Sequence, residues 1–241
     1  MRHEKNVLCM PGVTADLPAT LVFAEETIPR PVIDAVERRV RSLCLRFAAR
    51  LPFHGWHHVR FVRDKAVEFA AAGGADVAVV EAAALVHDLN YIVARNSDAA
   101  TGRDLRLRIL KRCGVEDAEA KWADDIVIEG EMRTRHRDIS IEAQALSDAD
   151  TLFKALPVTP VVLAHRYLSE NGVSLRQLAN KIVGEQRKPH DAGFYFYSER
   201  ARDMYARWAT ANLELWQCIV EALDDPSVEE LLDWMDDAEA S

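Results

Sequence analysis

The stretch Val77-Ala-Val-Val-Glu-Ala-Ala-Ala-Leu-Val86 constrains the fold more than any other part of the chain. At helical period it reads as apolar on all sides, and a helix of that kind is buried among others rather than laid on a surface. Asp76 stands where a capping side chain would start it. Gly73-Gly74, just upstream, stops the preceding segment. The rest of the chain must then supply helices to surround it.

Such helices are legible on both sides. Val32, Ile33, Val36, Val40, Leu43, Cys44 and Phe47 recur at helical spacing, and Pro31 fits the first turn of that helix, which is expected to end near Leu51-Pro52. A second helix is predicted from about His57, with His58, Val62, Ala66 and Phe69 as its stripe. Leu105, Ile109 and Leu110 mark another, closed by Gly114. Further helices are expected from Asp117 to about Gly130 and from Ile141 to about Leu156. Thr159-Pro160 reads as a cap followed by proline. Ser174 with Gln177, and Ser227 with Glu230, read as capping boxes. A long helix is predicted from about Ser198 to Leu223. Upstream of Pro31 there is no period, only a short extended piece at Leu21-Val22-Phe23. The expectation is an all-α protein: an irregular arm over 1–30, one helical bundle with additional C-terminal helices over 31–225, and a helix with an acidic tail over 226–241.

Composition narrows the partners. The formal net charge is −9, which sets the chain against a nucleic-acid polymer, because phosphate backbones need clustered Lys and Arg. Arg38-Arg39 and the Arg133 to Arg137 stretch read as solvated faces. Cys9, Cys44, Cys113 and Cys218 lie far apart without a CxxC, so no disulfide framework is expected; Cys44 and Cys218 sit among apolar residues and read as core. These features fit a reduced cytoplasm. No run is long enough for a membrane span. A monomer or a homodimer is compatible with everything above.

Metal-ligand residue types interrupt apolar helical sequence in three places: His54-Gly-Trp-His57-His58-Val-Arg60, Ala83-Ala-Leu-Val-His87-Asp88 and Ala145-Leu-Ser-Asp148-Ala-Asp150-Thr-Leu152. An ionised Asp inside an apolar helix is costly unless compensated. A divalent ion compensates it, and an adjacent neutral His adds a ligand. A single such place is usually a core histidine or a helix cap; three in one helical chain are a stronger signal.

The order His…His-Asp…Asp, with Ala83-Ala-Leu-Val-His87-Asp88 and Glu142-Ala-Gln-Ala-Leu-Ser-Asp148-Ala-Asp150-Thr-Leu152 around it, resembles the HD-domain superfamily of metal-dependent phosphohydrolases over roughly residues 35–215. The resemblance implies His58, His87, Asp88 and Asp150 as ligands of one divalent ion, with Asp148 as the runner-up or a partner that orients a ligand. It also implies that His54 lines the site. This chain departs from the pattern at Phe61, where the family often has Arg, and at Phe153, where it has Asp. Only His136 lies between the doublet and the last Asp, which favours one metal over two.

Two imidazoles and two carboxylates suit Mn, Fe, Co, Ni or Zn, and Mg less well. The reaction expected is attack of a metal-activated water on a small phosphorylated substrate, with a nucleotide among the candidates. Glu129, Glu131 and Asp148 are candidate bases beside Asp88. Arg60, Arg63, Lys65, Arg133 and Lys154 are candidate phosphate partners by proximity to the motifs. The aromatic run Phe194 to Tyr197 reads as packing for the last long helix, with stacking on a flat ligand as the other reading. Two other functions stay open: an HD-fold oxygenase with two irons, and a non-catalytic helical module with a structural metal.

Overall fold

The computed structural model describes residues 27–132, 136 and 138–239, with side chains of 233 and 235–239 excepted. The extended piece at Leu21-Val22-Phe23, most of the arm, Cys9 and Arg133 lie outside the described residues. Among those described, the secondary structure is helical and contains no strand. The elements are α1 (Arg30–Arg46), α2 (Trp56–Gly73), α3 (Val77–Val86), α4 (Asn90–Val93), α5 (Arg103–Arg112), α6 (Asp117–Glu129), α7 (Ile141–Ala155), α8 (Thr159–Val162), α9 (Ala164–Asn171), α10 (Leu175–Asp191), α11 (Glu199–Ala222) and α12 (Pro226–Glu239).

Helix α3 is the axis. Every residue from Val79 to Val86 is buried, and α1, α2, α6 and α7 pack around it. Asp76 caps it by accepting from Val79 N at 3.0 Å, and Gly74 ends α2 in the left-handed region at φ +77°. The helix is not apolar throughout, however. Glu81 is buried within it, neutralised by Arg30 Nη1 at 2.6 Å and Arg63 Nη1 at 3.2 Å. A buried carboxylate is tolerated because two guanidiniums reach it.

The stripe of α2 is as read: His58, Val62, Ala66 and Phe69 face the core, against α3 and α7. Helix α1 ends earlier than expected, at Arg46, and a 3-10 turn over Ala48–Arg50 carries the chain on to Leu51. Ser174 and Gln177 form the expected capping box. Ser227 does not cap α12; its N–H and hydroxyl both donate to Asp225 Oδ1, at 2.9 and 2.7 Å. Thr159 likewise starts α8 from inside, and its hydroxyl donates to Phe153 O at 2.7 Å. Cys44 is buried as expected, whereas Cys218 is exposed on α11. No helix of the described residues is long and apolar enough to cross a membrane.

The aromatic run after α10 is packing. Tyr195 and Phe196 are buried, and Tyr195 Oη donates to Gln186 Oε1 at 2.7 Å. Pro189 sits inside the last turn of α10 rather than in a loop.

Candidate metal centre

The His87-Asp88 doublet falls in the turn that follows α3, not inside the helix. That position matters, since side chains about 100° apart on a regular helix diverge, while a turn lets both swing to one side. His58, in the first turn of α2, is fully buried and comes up from the other direction. His58 Nε2 lies 2.8 Å from Asp88 Oδ2 and 3.1 Å from His87 Nε2, and His87 Nε2 lies 3.2 Å from the same Asp88 oxygen. Asp150, from α7, brings Oδ1 to 3.5 Å from His58 Nε2. Its Oδ2 accepts from Lys154 Nζ at 2.6 Å. His58, His87 and Asp88 thus form a tight group of potential ligands, with Asp150 at its edge.

The donor set fits a divalent cation. His87 Nδ1 lies 2.7 Å from Ala84 O. A carbonyl only accepts, so that nitrogen carries the proton and Nε2 presents its lone pair. Asp88 Oδ2 is buried and has no hydrogen-bond partner among the described residues. Lone pairs this close repel one another unless a cation lies among them. Two neutral imidazoles with carboxylates are the ligand types that Mn to Zn accept. His58 Nδ1, in contrast, is buried without a partner, so its ring is held by packing instead. Phe153 packs edge-on at 4.4 Å between ring centroids and Phe53 stacks at 6.0 Å. The Phe at 153 therefore serves as a wall of the His58 pocket.

Charges follow from this crowding. Burial pushes His58 down to about 4 against the pull of Asp88. For His87 burial also lowers the value, but Asp88 and Asp150 outweigh it and the net shift is upward. Burial opposes ionisation of Asp88, yet the neighbouring histidines hold it well below the usual carboxylate range. Lys154 is raised: burial works against its charge, and Asp150, joined by Asp88 and Glu185, overrides it.

The cluster opens into a cleft of about 640 Å³ whose walls include His87, Asp88, Glu131, Asp150, Lys154 and Lys181. Glu131 and Lys154, both candidates from the sequence, line this cleft. His54 is buried close by, its ring centroid 5.6 Å from that of His58. Other candidates are elsewhere. Asp148 is fully buried, but its two oxygens accept from Tyr197 N at 2.7 Å and Ser198 N at 2.8 Å. It anchors the start of α11 and is not placed to act as a base. Glu129 is engaged with Ser140, accepting from its N–H at 3.1 Å and from its hydroxyl, at a surface depression that it shares with His136. The Arg60 side chain is 66% exposed and pairs with Asp64, on the outside of α2. Arg63 serves Glu81, and Lys65 Nζ donates to Glu68 at 2.8 Å and Tyr205 Oη at 3.0 Å. Two turns along α2 carry Lys65 away from the cleft. His57 is exposed at the helix start.

Sequence reasoning missed Tyr91, Glu170, Lys181 and Glu185. Lys181 and Glu185 stand one turn apart on α10 and both line the cleft. Their i, i+4 spacing was visible, but nothing local told it from an ordinary solvated pair. Glu170 reaches His54 across the chain and had no local signal at all.

The fold and cluster together define an all-helical protein with a His-Asp cluster at one cleft. No family model and no curated protein sequence matches the chain. Similar solved structures are those of Bacillus subtilis YpgQ, alone and in complex with ADP. Each is 22% identical and covers 82% of this chain and 99% of that chain, with TM-scores of 0.55 and 0.56. At that identity the likeness is one of fold.

Proposed function

We propose that this chain is a metal-dependent hydrolase of phosphomonoester or phosphodiester bonds in a small molecule. In this reading His58, His87, Asp88 and Asp150 hold one divalent ion. What carries it is the convergence of His58 Nε2, His87 Nε2 and Asp88 Oδ2, at 2.8 to 3.2 Å from one another, at a cleft that also presents lysines. When bound, such an ion polarises a phosphoryl oxygen and lowers the pKa of water.

The chain's own groups supply the rest. Lys154 stays protonated beside Asp150 and offers an ammonium to phosphoryl oxygens. Lys181 adds a second cation on the same cleft. Of the bases expected from the sequence, Glu131 is the one that lines this cleft, and it takes a proton from the attacking water. The resemblance of the motifs to HD phosphohydrolases supports the reaction class. The ADP in the YpgQ complex supports a nucleotide among the first substrates to try, and a net charge of −9 supports a small substrate over a nucleic-acid polymer.

The test is phosphate release from nucleotides and simple phosphoesters in Mn, Co, Ni, Zn and Mg. Turnover in at least one metal, lost with a chelator and in His87→Ala, is expected. A metal-loaded protein inert across the panel contradicts the hydrolase reading and leaves a structural metal.

A further inference from the structure

The polar cleft does not end at the lysines. It continues into a second cleft of about 590 Å³, and Tyr91, Lys154, Lys181 and Glu185 line both. Beyond that neck the walls change character, to Phe53, Tyr167, Leu178, Ile182 and Trp216.

Several polar atoms of these walls are already engaged. Thr159 Oγ1 donates to Phe153 O at 2.7 Å, and Gln186 Oε1 accepts from Tyr195 Oη at 2.7 Å. Lys181 Nζ donates to Tyr167 Oη at 2.6 Å. One wall is also fixed in advance. His54 stacks on Tyr91 with centroids 3.6 Å apart and planes at 9°. Buried Glu170 holds that ring by accepting from His54 Nδ1, while its other oxygen accepts from Phe53 N at 2.7 Å and His54 N at 3.1 Å. A wall ordered before a ligand arrives lowers the ordering cost of binding.

We propose that this second cleft receives the non-phosphate part of the substrate, that this part is a flat aromatic group, and that the phosphoryl group lies at the Lys154–Lys181 neck. The inference rests on the phosphoester reading of the adjoining cleft. A polyol placed against Phe53, Tyr167, Leu178, Ile182 and Trp216 gives up water for few new hydrogen bonds. An aromatic ring gains apolar burial and ring contacts with Tyr91, Tyr167 and Trp216. Aryl groups and nucleobases share that chemistry.

Isothermal titration of the full chain with 1-naphthyl phosphate, ADP and glycerol 2-phosphate tests it, since binding is read without turnover. Naphthyl phosphate is expected to bind at least about tenfold tighter than glycerol 2-phosphate, from the apolar area it buries. Ala164→Phe, in the first turn of α9, and Ile182→Trp, on α10, each fill the cleft. Each is expected to lower that preference by about tenfold with the helical content retained. ADP binding that falls in the same variants identifies the ring as a nucleobase; a naphthyl preference without ADP binding identifies a less polar ring. Equal affinity for naphthyl and glycerol phosphates, no binding of either, or a preference that survives both variants overturns the inference. Absence of turnover in every metal, with the naphthyl preference intact, would instead count against the hydrolase reading alone.

Discussion

Asp150 is divided between two neighbours: Oδ1 faces His58 Nε2 at 3.5 Å, and Oδ2 accepts from Lys154 Nζ at 2.6 Å. The lysine thus offsets one charge at the edge of the cluster proposed to hold a cation. Asp150→Ala is expected to lose metal. Lys154→Gln leaves the carboxylate with one partner fewer, so metal is retained, while KM for a phosphoester rises by about tenfold through the lost ammonium. Metal analysis and steady-state kinetics on the two variants check this; metal loss in Lys154→Gln would show that the pair positions Asp150.

Asp148 separates fold from chemistry. Its carboxylate takes two backbone N–H groups at the start of α11. Asp148→Ala leaves both half-buried donors without their acceptor and is expected to cost about 1–3 kcal/mol. Denaturant unfolding reads that loss, and metal stoichiometry is expected to hold. Loss of metal at unchanged stability would return Asp148 to the ligand set.

Metal uptake should depend on pH through His87. Its pKa is raised in the metal-free protein, against burial, by Asp88 and Asp150. Below that pKa a proton occupies the ring and must leave for a metal to bind. Affinity is therefore expected to fall as pH drops through and below that raised pKa, by up to about tenfold per unit. His58, pushed down to about 4 by burial, adds no such loss until far lower pH. Competition titrations with a chromophoric chelator measure this, and a flat profile would contradict it.

The thiols differ in reach. Burial, aided by the charge on Asp88, pushes Cys44 up to about 12, so at pH 8 it is a protonated thiol inside the core. Cys218 is exposed. Iodoacetamide at pH 8 is expected to modify Cys218 readily and Cys44 only after unfolding, as peptide mass mapping would show. Early labelling of Cys44 would mean that α1 opens locally.

What the sequence revealed was local or periodic. The apolar run of α3, the cap at Asp76 and the box at Ser174 each depend on residues a turn or less apart. The doublet was legible because carboxylate and imidazole stood out against apolar neighbours. What stayed hidden needed long-range contact. Arg106 is fully buried, held by Asp124 with Nη2–Oδ1 at 2.6 Å, and reads in sequence as one more basic residue of α5. Glu170 and His54 meet across much of the chain. Arg60 and Lys65 were chosen for closeness to His58, yet helical azimuth, not distance along the chain, decides which side chains share a cleft.

The most direct test is metal content of the purified chain after loading with Mn, Co, Ni, Zn or Mg and gel filtration. About one equivalent per chain is expected, lost in both His58→Ala and His87→Ala while each variant stays helical. No retained metal under any loading condition, or full retention in both variants, would contradict the assignment of this cluster as a metal centre.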